Sequence, residues 1–188
     1  MSDSEELWQE YSSNGEPTGR ALTKAEARSG ILHGVAHVWI WRAGSAGPEV
    51  FLQVRAKDKA TWPDYLDISA AGHIDFGEAP LATALRETRE EVGLALNADQ
   101  LRLLFVYHSY MVDAGSGIIE DEFQWVYGYE VTGDIDMTFT DGEVDGVQWL
   151  TLQAFQSLIA GQESERPLVP HGDIYFTNLL AEITPLTK

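Results

Sequence analysis

This 188-residue chain contains no cysteine. That absence excludes disulfides, thiolate metal ligands and a cysteine nucleophile. Positive charge is the next scarcity: 12 Lys and Arg stand against 30 Asp and Glu, for a formal net charge of −18. No long nucleic-acid partner is expected from that balance, because neutralising a phosphate backbone takes clustered basic side chains. A small anionic substrate stays compatible with it where metal ions and a few local cations reverse the sign. Long apolar runs are missing too, and none approaches the roughly 18 residues of a membrane span. The opening MSDSEELWQEYSSNGEP is acidic and polar, without the layout of a signal peptide. The expectation is a soluble, cytoplasmic protein, with 44% hydrophobic residues supplying one core.

No internal repeat is present. Residues 1–28 read as a polar arm, with turns at Asn14-Gly15 and from Pro17 to Gly19, and residues 29–188 as a single domain. His33 to Trp41 and Val50 to Ala56 have strand character around the turn AGSAGP, which predicts a hairpin. A basic loop, KDKATWPDY, leads to the short apolar segment LDISAAG. A helix is predicted from about Ala79 to Val92, with Pro80 in its first turn and Gly93 as its stop. LRLLFVYHSYMV and FQWVYGYEV read as strands flanking the loop DAGSGIIEDE, followed by a strand in GVQWLTL and helices in AFQSLIAG and IYFTNLLAEI. The order predicts one mixed α/β domain.

The helix carries the chemistry. Leu81, Leu85, Thr88 and Val92 form an apolar stripe, and Glu87, Glu90 and Glu91 are expected on an opposite, outward face. A solvated surface is the ordinary account of clustered glutamates. Here, however, Glu90 and Glu91 fall in the last turn, where the helix dipole disfavours acids, and Glu87 and Glu91 repel one another at i,i+4. A hard divalent cation such as Mg²⁺ or Mn²⁺ would relieve both costs.

The spacing extends the pattern. Gly72, five residues, Glu78, seven residues, Arg86-Glu87, then Glu90-Glu91 and Gly93-Leu94 resembles the signature of the Nudix hydrolase family. The one departure is Thr88 at an apolar position. The resemblance implies an α/β/α sandwich with a mixed β-sheet, α+β in class, and hydrolysis of a diphosphate bond with Mg²⁺ or Mn²⁺. It makes Glu87, Glu90 and Glu91 metal ligands, with the Gly72 carbonyl as a further one. Glu78 would support the site or a second metal through water, and Arg86 would orient the glutamates. The general base varies within the family, being a glutamate of this helix or one on a later loop, where Glu143 in TDGEVDGVQW stands; a turn acid is its other reading. Family members are often dimers, so a homodimer is among the expected assemblies.

Beyond the helix, LHGVAHVWIW and LQVRAKDKATWPDYLDISAAGH are similar to the branch containing isopentenyl-diphosphate isomerase. By that likeness His33, His73, Glu120 and Glu122 match a second metal set, with a strand-start histidine as the plain alternative for His33. Arg55 and Lys59 match a diphosphate grip, or are an exposed loop pair. The isomerase chemistry lacks its cysteine, since Ala71 occupies that place, and Glu26 stands where another metal-binding histidine is expected. The expected activity is therefore hydrolysis, with isomerisation and non-catalytic diphosphate binding as alternatives. Tyr110 falls where dinucleoside polyphosphate hydrolases tend to carry a tyrosine. Trp62, Tyr65, Tyr107 and Tyr110 are candidates for stacking on a substrate ring, although core packing explains them equally well.

Overall fold

The computed structural model describes residues 6–45, 47–59, 61–132 and 144–184. Along the chain lie β1 (Leu7–Tyr11), β2 (Pro17–Thr23), α1 (Lys24–Ala27), β3 (His33–Gly44), β4 (Gly47–Arg55), β5 (Leu66–Asp67) and β6 (Ala70–His73). There follow α2 (Pro80–Val92), β7 (Arg102–Val112), β8 (Ile119–Val131), β9 (Val144–Thr151), α3 (Leu152–Ile159) and α4 (Asp173–Ile183).

The sheet is mixed, and β3 is its spine. One edge of β3 runs parallel to β8, from His33 opposite Glu122 to Arg42 opposite Val131. The other edge is shared. Val35 to Val38 pair with β6, and Ile40 to Gly44 pair with β4, both antiparallel. β7 extends the sheet beyond β8, and β9 extends it beyond β4.

Both faces of β3 are covered, which is why its sequence is apolar almost throughout. Side chains alternate across a strand. Ala36, Val38 and Ile40 accordingly enter one core with Ala84 and Val92 of α2, while Trp39 and Trp41 enter another with Phe155 of α3 and Tyr175, Phe176 and Leu179 of α4. Each large apolar side chain buried in these layers contributes about 1.5–3 kcal/mol relative to exposure. The layers are helix, sheet, helix, as expected from the sequence.

Two segments differ from expectation. Residues 7–27, read as a polar arm, form a β-hairpin and one helical turn around buried Trp8, Leu22 and Ala27. The polar composition hides two buried aromatics, Trp8 and Tyr11, on either side of a register shift in the β1–β2 pairing. The acidic end of the loop before Phe123 is strand, because Ile119 to Glu122 pair with Val112 to Ser109. Glu120 and Glu122 therefore sit on β8, at positions held by the ladder. Among the described residues no helix is long and apolar enough to cross a membrane.

Candidate active site

Helix α2 starts with Pro80 at its first turn and ends at Gly93, whose φ of 77° suits the left-handed cap that glycine adopts without strain. Thr88, the departure from the apolar pattern, is fully buried, and its hydroxyl donates to the Ala84 carbonyl at 2.7 Å. The back-bond satisfies the hydroxyl inside the core.

The glutamates do not share one outward face. At about 100° per residue Glu91 lies only about 60° from Thr88, on the shoulder of the buried stripe, whereas Glu90 lies nearly opposite. Glu91 is accordingly 4% exposed, and its Oε2 accepts the Ala71 N–H at 2.9 Å and a longer bond from Gln53 Nε2 at 3.5 Å. Glu87 is half-buried against β6, and Glu90 is exposed. The expected acid face is thus a flank turned toward β6. Gly72 belongs to the same contact: a Cβ there would lie 1.9 Å from Glu87 Oε1. Only glycine leaves room for that carboxylate.

Arg86 ties the flank together. Its guanidinium donates to Glu78 Oε2 at 3.0 Å, to the His73 carbonyl at 3.3 Å, to Glu90 at 3.4 Å and to Glu87. Burial works against the Arg86 charge, but the bonds and charges of Glu78, Glu87 and Asp75 outweigh it. Burial likewise raises Glu78, yet Arg86 and the Thr83 hydroxyl outweigh it and hold the carboxyl below its ordinary range.

A second constellation adjoins the first. One ligand-type atom from each of His33, His73, Glu120 and Glu122 lies within 4.8 Å of the others. His33 Nδ1 is bonded to the Ile31 carbonyl at 2.9 Å, which leaves Nε2 facing Glu120 and Glu122 at 3.7 Å each. Nε2 of both histidines and Glu120 Oε2 are buried without a hydrogen-bond partner. Burial pushes both imidazoles toward the neutral form and raises both carboxyls, Glu120 also through repulsion by Glu122. Neutral imidazoles with unpartnered nitrogens beside strained carboxylates fit a divalent metal with mixed N/O ligands. Trp8 closes this cluster, its ring stacked on His73 with centroids 3.5 Å apart. Glu26 is elsewhere engaged: it completes a capping box with Thr23 and pairs with Arg20 at 2.7 Å.

One cavity of about 850 Å³ is lined by Gly72, Arg86, Glu87, Glu90 and Glu91 of the first constellation and by His73, Glu120 and Glu122 of the second, while His33 is fully buried. Arg55, Lys59, Trp62, Asp67, Tyr107 and His171 line it as well. Arg55 is not an unengaged clamp; it donates to Asp67 Oδ2 at 2.7 Å and twice to the Thr61 carbonyl. Tyr110 lines the cavity and is 64% exposed, so it is not a core residue. Trp62 packs with Tyr65 at 5.3 Å between centroids and has a φ of 51°, in the left-handed region.

The model of the NUDIX domain matches residues 32–172. The chain belongs to the Nudix family. An uncharacterized Nudix hydrolase of Listeria innocua is 31% identical over 186 residues, covering 97% of both chains. Nudix hydrolase 3 of Arabidopsis thaliana is 31% identical over 163 residues, 85% of this chain, and the match spans 21% of that longer protein. An isopentenyl-diphosphate Delta-isomerase of Rhizobium rhizogenes is 32% identical over 157 residues, 82% of this chain and 70% of its own length. In fold, DR0079 of Deinococcus radiodurans superposes with a TM-score of 0.67 at 20% identity, covering 93% of this chain and 98% of its own. The chain is thus a Nudix pyrophosphohydrolase by class, in the branch that includes isomerase-named relatives.

Of the residues picked out by the Nudix signature, Gly72, Arg86, Glu87, Glu90 and Glu91 line the cavity, and Glu78 stands behind them on Arg86. Glu143 lies outside the described residues. Sequence reasoning passed over Asp67 and His171, whose side chains meet across 104 positions, and His37, which is buried beside them. The only local signal was a histidine in the turn PHGD ahead of the last helix.

Proposed function

We propose that this Nudix enzyme hydrolyses the diphosphate bond of a nucleoside diphosphate or another organic diphosphate, using Mg²⁺ or Mn²⁺. The observation that carries the reading is the Gly72 cradle. A strand glycine is kept clear for the Glu87 carboxylate, beside a buried Glu91 aimed at the same strand. Glu87, Glu90, Glu91 and the Gly72 carbonyl would hold the ion, and Glu78 would support them through Arg86. A divalent ion there supplies charge neutralisation on phosphate oxygens and lowers the pKa of water. The protein contributes orientation. The Ala71 N–H and Gln53 fix Glu91, Arg86 spaces the other acids, and Lys59 with Arg55 lines the wall facing them.

His33, His73, Glu120 and Glu122 would hold a second divalent ion, as their unpartnered nitrogens and raised carboxyls favour. Isomerisation is disfavoured by Ala71, whose methyl offers no proton where the isomerases place a thiol.

The test is hydrolysis of ADP, ADP-ribose, dinucleoside polyphosphates and isoprenoid diphosphates with Mg²⁺ or Mn²⁺. Glu91→Gln preserves an acceptor for the Ala71 N–H and should fold normally while losing more than about 100-fold in kcat. Cleavage indifferent to that variant would remove the α2 acids from the reaction. Conversion of isopentenyl diphosphate without hydrolysis would favour the isomerase reading.

A further inference from the structure

Asp67, the last residue of β5, is 5% exposed and carries no duty in the acid cradle. Its Oδ2 accepts from Arg55 at 2.7 Å, and its Oδ1 accepts the Ile68 N–H at 2.8 Å and lies 3.0 Å from His171 Nε2. Burial raises the Asp67 carboxyl, but His171, Arg55 and the Ile68 N–H outweigh it and bring it down to about 2. An ionised carboxylate only accepts hydrogen bonds, so the His171 proton resides on Nε2. Nδ1 makes no hydrogen bond among the described residues, and His171 lines the same cavity as Gly72, Glu87 and Glu91. A carboxylate that fixes the tautomer of a cavity-lining histidine and leaves its other nitrogen without a bond is the arrangement of an acid–base histidine.

The neighbouring histidine does not compete. His37 Nδ1 is hydrogen-bonded at 3.0 Å to the Tyr175 hydroxyl, which also accepts from Trp39 Nε1 at 2.9 Å. Burial pushes His37 down to about 3, so it stays neutral. In the β3–β6 register His37 pairs with Ala71, one residue before Gly72, which sets the dyad beside the cradle strand. The ionisable groups facing His171 are Asp67 on β5 with Arg55 of β4 behind it, His37 on β3, Tyr175 on α4 and, through space, Glu122 on β8.

We propose that His171, positioned by Asp67, is the general base of the hydrolysis; this rests on the diphosphatase reading above. The water oxygen bonds to phosphorus as its proton passes to His171 Nδ1. The bridging P–O bond breaks, its electron pair leaving on the departing phosphate. The imidazolium, stabilised by Asp67, returns the proton to solvent after product release. Asp67 is a positioning residue and does not itself touch the substrate.

The experiment is the pH dependence of kcat/KM for ADP, ADP-ribose and geranyl diphosphate with Mg²⁺, in wild type, His171→Gln and Asp67→Asn, with Mn²⁺ binding followed by electron paramagnetic resonance. Wild-type kcat/KM should show an acid limb, as any reaction run by a general base does. His171→Gln, whose amide can still donate to Asp67, should lose about 10²–10⁴-fold in kcat and keep its Mn²⁺ affinity. Its acid limb should drop into the carboxylate range. Asp67→Asn removes the anion partner of the imidazolium, so its limb should move to lower pH while activity persists. A limb unmoved in both variants, or a kcat for His171→Gln within about threefold of wild type, overturns the assignment. A wild-type profile without an acid limb overturns it without any variant. Failure of the wild type to cleave any of the three probes sinks the diphosphatase reading itself, whereas cleavage that survives in His171→Gln sinks only the base.

Discussion

Gly72→Ala puts the cradle under direct test. The glycine has no positive φ, so what it supplies is space. An added methyl would lie 1.9 Å from Glu87 Oε1 and 2.1 Å from its carboxyl carbon. The strand cannot retreat, because β6 is laddered to β3 from Val35–His73 to Val38–Ala70. The carboxylate must leave, breaking its bond from Arg86. A hydrogen bond to a charged group is worth about 1.5–3 kcal/mol, and overpacking costs about 1–3 kcal/mol. Arg86 keeps Glu78, and the displaced carboxylate regains water, so the net cost is set near the low end, about 2 kcal/mol. For a chain of this size that lowers Tm by about 4–8 °C in circular-dichroism melts. Mn²⁺ affinity, measured by calorimetry, should fall about 10-fold or more as one carboxylate is displaced. The loss should be smaller in a Glu87→Ala background, where the clash is gone, giving a coupling readable from the double-mutant cycle. A single variant with wild-type Tm and wild-type Mn²⁺ affinity would refute the claim that Glu87 is held over Gly72.

Two further outcomes follow from His37 and Arg55. His37 is pushed from 6.5 down to about 3, so on acidification the unfolded chain takes up a proton before the native state does. Its contribution is complete above about pH 6.5 and is lost toward pH 3, by up to about 1.4 kcal/mol per unit. Asp67, lowered from 3.8 to about 2, adds a second loss only between those values. Urea midpoints that stay level from pH 7 to 5 would contradict the buried neutral His37. Arg55→Lys keeps a charge for Asp67 but cannot also span to the Thr61 carbonyl, so unfolding should cost about 1–2 kcal/mol less and KM should rise about 10-fold. A raised KM at unchanged stability would place the guanidinium on the substrate instead of on Asp67.

The α2 boundaries and the layered fold were legible because they depend on local rules: a proline at the first turn, a glycine stop, period-two strands and a motif at fixed spacing. The orientation of Glu91 was less so. Grouping it with Glu87 and Glu90 by i,i+3 and i,i+4 spacing overlooks that 100° per residue also sets it about 60° from Thr88, on the shoulder that β6 covers. The acids of β8 imitate a loop in composition, because Glu120 and Glu122 occupy strand positions beside His33 where an apolar pattern would otherwise mark a strand. The Asp67–His171 pair has no signature beyond a histidine ahead of the last helix, since the fold brings together residues that neither motif nor periodicity connects.

The N-terminal hairpin has a practical bearing. The matched Nudix segment starts at residue 32, yet Trp8 lies flat against His73 and lines the cavity from outside that segment. A shortened version cut at the family boundary would expose two buried imidazoles to water and enlarge the cavity on one side. What such a fragment bound or cleaved would report on a different vessel, so the first thirty residues belong in every assay of this enzyme's selectivity.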